Sequence, residues 1–129
     1  MPHLPKLPQV EAAKLARLIR EEQIYSVMNN TKWSELLNDI LTLPPLERPS
    51  LRIRSVFAPA GFITDWGQSW DYDLCPVEDL EWIDMLPDSR NLLTSILAKH
   101  NIPYSIEGNL VRVWGYVRPG THPDWQVQA

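Results

Sequence analysis

The chain has 129 residues, 44% of them hydrophobic and 22% charged, with 12 Lys and Arg against 16 Asp and Glu. That length suits one folded domain rather than several, and no apolar run approaches the roughly eighteen residues needed to cross a bilayer. A formal net charge of −4 argues against general binding to a phosphate backbone, which needs a concentrated basic surface.

The first eight residues carry Pro2, Pro5 and Pro8, a spacing that blocks helix and predicts a flexible lead. No apolar segment follows it in the manner of a secretory signal, so a cytoplasmic location is expected. From Gln9, Leu15, Leu18, Ile19 and Tyr25 recur at helical spacing, predicting an amphipathic helix over roughly 9 to 27. Its polar side, with Lys14, Arg17, Arg20, Glu21 and Glu22, reads as a solvated face or as a docking or dimer surface. Asn29, Asn30 and Thr31 then break and recap the chain, and Trp33, Leu36, Leu37, Ile40 and Leu41 define a second helix.

Pro44, Pro45 and Pro49 end that helix. In SLRIRSVFA, Leu51, Ile53 and Phe57 alternate with Arg52 and Arg54, the pattern of a half-buried strand. GFITDWGQSWDYDL predicts a hairpin turning at Gly67 and Gln68, with Ile63 facing Tyr72 and Asp65 facing Trp70. Phe62, Thr64 and Trp66 would then share a face with Asp71 and Asp73. A further strand is expected over EDLEWIDML, with Leu80 and Trp82 on one side and Glu81 and Ile83 on the other. Pro87, Asp88 and Ser89 open a third helix with Leu92, Leu93, Ile96 and Leu97 inward, and YSIEGNLVRVWGYV predicts a hairpin around Gly108 and Asn109. Trp114 is placed with Arg112 and Tyr116, opposite Val111, Val113 and Val117.

The fold class that follows is α+β: two layers, a mainly antiparallel β-sheet with helices packed on one face, preceded by an N-terminal helix. Residues 9–129 are expected to form one domain, with a helical part at 9–43, a sheet and helix part at 50–117 and a loose tail at 118–129. The crossover through the third helix leaves room for a locally mixed sheet.

Chemistry-bearing residues are few. His3, His100 and His122 fall in separate parts of this architecture, and Cys75 is the only cysteine, so neither a metal site nor a nucleophile with a base is expected. The five glycines are scattered, with no phosphate-cradling loop, and no cofactor is expected. Asp71 and Asp73, two apart on a predicted strand, fit charge pairing with Arg52, Arg54 and Arg112, or a protein contact, better than a hard cation or a hydrolytic carboxylate pair. The charge is also uneven. Ser55 to Ser89 holds eight carboxylates and no Lys or Arg, together with Trp66, Trp70 and Trp82.

At NNTKW (29–33), RIRSVFAPAGFITDWGQSWDYDL (52–74) and EDLEWIDM (78–85), the chain resembles a group of small uncharacterised bacterial proteins. Those typically begin MNNTKW, carry a Trp-anchored hairpin of the form G-[FY]-I-x-D-W-x-x-x-W, and end with a helix and a strand containing a Gly-Tyr pair. Gly61, Phe62, Ile63, Asp65, Trp66, Trp70, Gly115 and Tyr116 fit that pattern, over about Met28 to Val117. The helix before Met28 and the longer proline connector depart from it. The resemblance implies an association with toxin loci as an immunity partner and transfers no catalytic residue.

Together these features lead to the expectation of a non-enzymatic immunity-type protein whose acidic, aromatic surface meets a basic toxin domain, through Asp65, Trp66, Asp71, Asp73, Glu78, Asp79 and Glu81. Neither nucleic acid nor membrane is expected as a partner. The competing reading is an interaction or assembly module that docks through its N-terminal helix.

Overall fold

The computed structural model describes residues 7–58, 63–68, 70, 77–87 and 90–126. The first helix, α1, spans Gln9–Glu22 and ends where Gln23 takes a left-handed conformation at φ 56. It stops short of the expected residue 27. The physical reason is tertiary: Tyr25–Ser26 forms a short strand, β1, and the Val27 amide donates to the Gly115 carbonyl at 3.0 Å, bonds that a continued helix would forfeit. Leu7, read as part of the flexible lead, is buried in the same cluster as Ala12, the two positions of a hydrophobic staple.

Helix α2, Asn30–Thr42, follows the sequence expectation closely. The Asn29 side chain accepts from the Lys32 amide at 2.8 Å, and Trp33, Leu36, Leu37 and Ile40 are buried. At its other end Arg48 reaches back to donate to the Leu41 and Leu43 carbonyls at 2.8 and 3.2 Å, satisfying acceptors that the proline connector leaves open.

Four strands form the main sheet: β2 (Ser50–Ser55), β3 (Leu80–Leu86), β4 (Tyr104–Glu107) and β5 (Leu110–Trp114), in the order β2-β3-β5-β4. Every neighbouring pair is antiparallel, so no mixed sheet arises among the described residues. The chain leaves β3, crosses through helix α3 (Arg90–Lys99) to the far edge, and returns through a two-residue turn at Gly108 and Asn109 to fill the gap with β5. Gly108 has φ +64, the conformation such a turn requires. A short strand β6, Tyr116–Val117, pairs with β1.

Two cross-strand rows, Ile53–Ile83–Val113–Tyr104 and Leu51–Met85–Val111–Ile106, make the inner face. They pack against Trp33, Leu36, Leu37 and Ile40 of α2 and Leu93, Ile96 and Leu97 of α3. Leu92, expected inward, lies at the flank and is 40% exposed. Helix α1 packs elsewhere. Its Leu15, Leu18 and Ile19 join Leu7, Ile24, Val56, Phe57 and Tyr116 in a separate cluster. No helix among the described residues is long and apolar enough to cross a membrane.

Both sheet edges are covered by irregular segments, which keeps them from pairing with other chains. On β4, Trp125 bridges Ser105, and the Gln126 amide donates to the Tyr104 carbonyl at 2.8 Å, so the segment read as a loose tail has an anchor. On β2, Gly67 exchanges two 2.8 Å backbone bonds with Leu51, and the Thr64 amide donates to the Ile53 carbonyl at 3.1 Å. Gly67, expected at a hairpin turn, therefore bonds to β2. The second arm of that hairpin, including Asp71, Tyr72 and Asp73, lies outside the described residues, as do Phe62 and Cys75.

Candidate functional site

Alternation along β2, β3 and β5 that sends Ile53, Ile83 and Val113 inward sends charge and aromatics to the outer face. There the cross-strand row is Arg52–Asp84–Arg112–Ser105. Asp84 is 0% exposed, and its carboxylate accepts from Arg52 Nε at 3.0 Å, from Arg112 Nε at 2.6 Å and from Arg112 Nη2 at 3.1 Å. Each guanidinium also lies over aromatic rings: Arg52 at 4.8 Å from the Trp66 centroid, Arg112 at 4.0 Å from Trp82 and 5.4 Å from Trp114. Trp114 donates from Nε1 to the Ser105 hydroxyl at 2.9 Å and meets Trp125 edge-on at 6.3 Å. A continuous ladder thus runs from Trp66 to Trp125, with one internal carboxylate at its centre.

A second such centre lies beside it. Glu81, 5% exposed, pairs with Arg54 Nε at 3.4 Å and Arg118 Nε at 3.0 Å, and Arg118 continues to Glu22 at 2.6 Å. Burial pulls the Arg118 guanidinium down, but the bonds and charges of Glu22 and Glu81 outweigh it and hold its pKa above the usual arginine value.

The seven residues singled out from the sequence therefore separate. Asp65 and Trp66 share one exposed segment, Trp66 being 40% exposed on its arginine support. Glu78 and Asp79 sit on a 3-10 turn, Val77–Asp79, before β3. There Asp79 accepts from the Ser55 hydroxyl at 3.1 Å, and the Glu78 carbonyl accepts from the Tyr116 hydroxyl at 2.9 Å. Glu81 is internal. Asp71 and Asp73 lie outside the described residues. Among the described residues, the arginines expected to pair with those two aspartates face carboxylates of the strand between them: Arg52 and Arg112 face Asp84, and Arg54 faces Glu81. Consequently two of the eight acids between Ser55 and Ser89 contribute ion pairs to the interior, and the acidic surface is smaller than the sequence count suggests.

On the helical side, His100, just past the end of α3, bridges two carboxylates of α2: Nδ1 to Glu35 at 2.5 Å and Nε2 to Asp39 at 2.7 Å. Both ring nitrogens therefore sit within hydrogen-bonding distance of a carboxylate. Burial raises the Asp39 pKa, but the bonds and charges of His100 and Lys99 exceed that effect, leaving it below the ordinary 3.8. A carboxyl with a lowered folded pKa contributes stability that is fully present above the unfolded value and is lost as pH falls through the folded one. His100→Ala is accordingly expected to cost about 1–2 kcal/mol at pH 7. Denaturant titrations of both proteins should show that gap narrowing below pH 3.8. Among the described residues no group of three or more His, Cys, Asp or Glu side chains is arranged to hold a metal ion.

A family model matches the chain over residues 15–120. The protein belongs to a family of unknown function, DUF6678. No curated protein and no solved structure matches it. The matched region of this DUF6678 chain begins inside α1, so the helix before Met28, which departed from the resemblance, lies partly within the family's extent. Both arginine–carboxylate centres and Trp66 fall inside the match, whereas Trp125 falls beyond it.

Proposed function

We propose that this DUF6678 protein is a cytoplasmic, non-enzymatic immunity-type protein that binds and neutralises a cognate bacterial toxin domain. The observation that carries the reading is Trp66. A large aromatic side chain, exposed beside Asp65 and Ile63, rests on Arg52, whose guanidinium is braced by the internal Asp84. An aromatic held in place before the partner arrives loses little entropy on binding, which is the physical basis of an interface hot spot. Asp65 beside it and the acidic character of the Ser55–Ser89 stretch favour a partner with a basic surface. The resemblance at NNTKW and the Trp-anchored segment supplies the toxin association.

Co-expression with the toxin domain encoded beside its gene is expected to restore growth and yield a complex. Trp66→Ala should weaken that complex by about thirtyfold or more, a loss of roughly 2 kcal/mol. Because Trp66 lies outside the buried clusters, the melting temperature should stay close to that of the parent. A complex indifferent to Trp66→Ala would remove this surface from the interface, and failure to form any complex would remove the immunity reading.

The alternative, a docking or assembly module built on α1, meets a structural obstacle. The apolar stripe of α1 is already packed against Val56, Phe57 and Tyr116. Deleting residues 1–27 would also remove β1, so substitutions on its outer side, Val10→Asp and Arg17→Glu, are the cleaner discriminator. Lost association with these variants would favour the module.

A further inference from the structure

A cleft of about 230 Å³ opens where α1, the start of α2, the Val77–Asp79 turn and β6 converge. Its base is closely packed: Trp33, Val77 and Gly115 are all buried, with the Trp33 ring edge against Gly115, and the surface it exposes is more polar than apolar. Asn29, Asn30 and Glu78 contribute polar groups to its lining. The volume is below the range of drug-sized ligand sites and suits a single long side chain.

The cleft is electrostatically unbalanced. Asp84, Glu81, Glu22, Asp39 and Glu35 each pair with an arginine, lysine or histidine. The half-buried Glu78 carboxylate instead accepts one long bond, 3.5 Å, from the Leu7 amide, and no cation among the described residues pairs with it. No Lys, Arg or His is among the described residues that line the cleft. Burial pushes the pKa of the neighbouring Tyr116 up, and the charges of Glu78 and Asp79 push it further. Asp79 is likewise raised, by burial first and by Glu78, against the bonds it accepts from Ser55 and its own backbone. The start of α2 adds a fraction of a positive charge, which the Asn29 cap already engages. The full charge of Glu78 outweighs it.

We propose that this cleft receives the end of a lysine or arginine side chain of a protein partner, its charged head at Glu78 among the polar groups of Asn29 and Asn30. The inference rests on the reading that the protein is a binding protein with a basic partner, and it locates a second anchor point distinct from Trp66.

The test uses the full chain and simple probes: n-butylguanidinium and n-butylammonium chloride, with n-butanol as the uncharged control, at constant ionic strength. The Trp33 indole and Gly115 amide resonances are expected to shift saturably with both cations and not with the alcohol. Glu78→Gln keeps the backbone carbonyl that accepts from Tyr116 and should weaken the binding by about tenfold. Trp66→Ala should leave it unchanged. Linear, unsaturating shifts, or equal binding by Glu78→Gln, would overturn the proposal. So would binding that emerges only after residues 1–6 are deleted, since the occupant would then be the chain's own basic lead. No toxin enters this experiment, so its failure and a failure of the immunity reading are told apart.

Discussion

Arg112→Met is expected to lower the unfolding free energy by about 3–5 kcal/mol, measured by urea denaturation at neutral pH. Methionine keeps an apolar chain against Trp82 and Trp114 but removes two of the three donors on Asp84. Asp84 has no access to water, so the remaining Arg52 bond must stabilise a full negative charge in the interior. The cost comes from stranding that charge more than from losing an attraction, and this makes a second outcome predictable. Replacing both residues, Asp84→Leu with Arg112→Met, should cost less than Arg112→Met alone, because no carboxylate is left to strand. A single-variant cost below about 1 kcal/mol would place the cluster with ordinary surface ion pairs and contradict its geometry. The variants also reach the proposed binding surface: Asp84 braces Arg52, and Arg52 supports Trp66, so Asp84→Leu should weaken toxin binding without touching the toxin.

These centres show where sequence patterning carries information and where it does not. The α2 stripe, its Asn29 cap, the alternation of β2 and the Gly108–Asn109 turn were legible because each is set by neighbours within a few residues. Strand β3 is different. Leu80 to Met85 are all buried, so alternation there separates two internal environments instead of core from solvent, and Glu81 read as a surface contact is in fact internal. The arginines on β2 and β5 were visible as one charged face, but their partners depend on strand order, which places β3 between them. The early end of α1 likewise depends on β6, some ninety residues away in the chain. Trp66 and Asp65 were singled out from the charge and aromatic pattern of Ser55 to Ser89 alone, whereas the brace beneath Trp66 needed the topology.

Gly115→Ala is expected to be among the most damaging small substitutions, costing about 3 kcal/mol or more in denaturant titration and lowering the melting temperature accordingly. A Cβ at this position would lie 2.1 Å from the Leu80 carbonyl oxygen and 3.2 Å from its carbon, both backbone atoms that no rotamer change can move aside. Gly115 also donates to the Glu81 carbonyl at 2.7 Å and accepts from the Val27 amide at 3.0 Å. Relief of the clash must therefore separate β3 from the Gly115 strand segment and disturb the bond that ties β1 to the sheet. Gly108→Ala is the control. Gly108 has φ +64 with nothing within 4 Å of an added Cβ, so its alanine meets only backbone strain, about 1 kcal/mol. If the two variants cost the same, the close approach at Leu80 is not what requires glycine at 115. If Gly115→Ala is far the worse, the same crowding explains why the floor of the Glu78 cleft has a glycine beneath Trp33, since any side chain there would push the β3 backbone and the cleft wall apart.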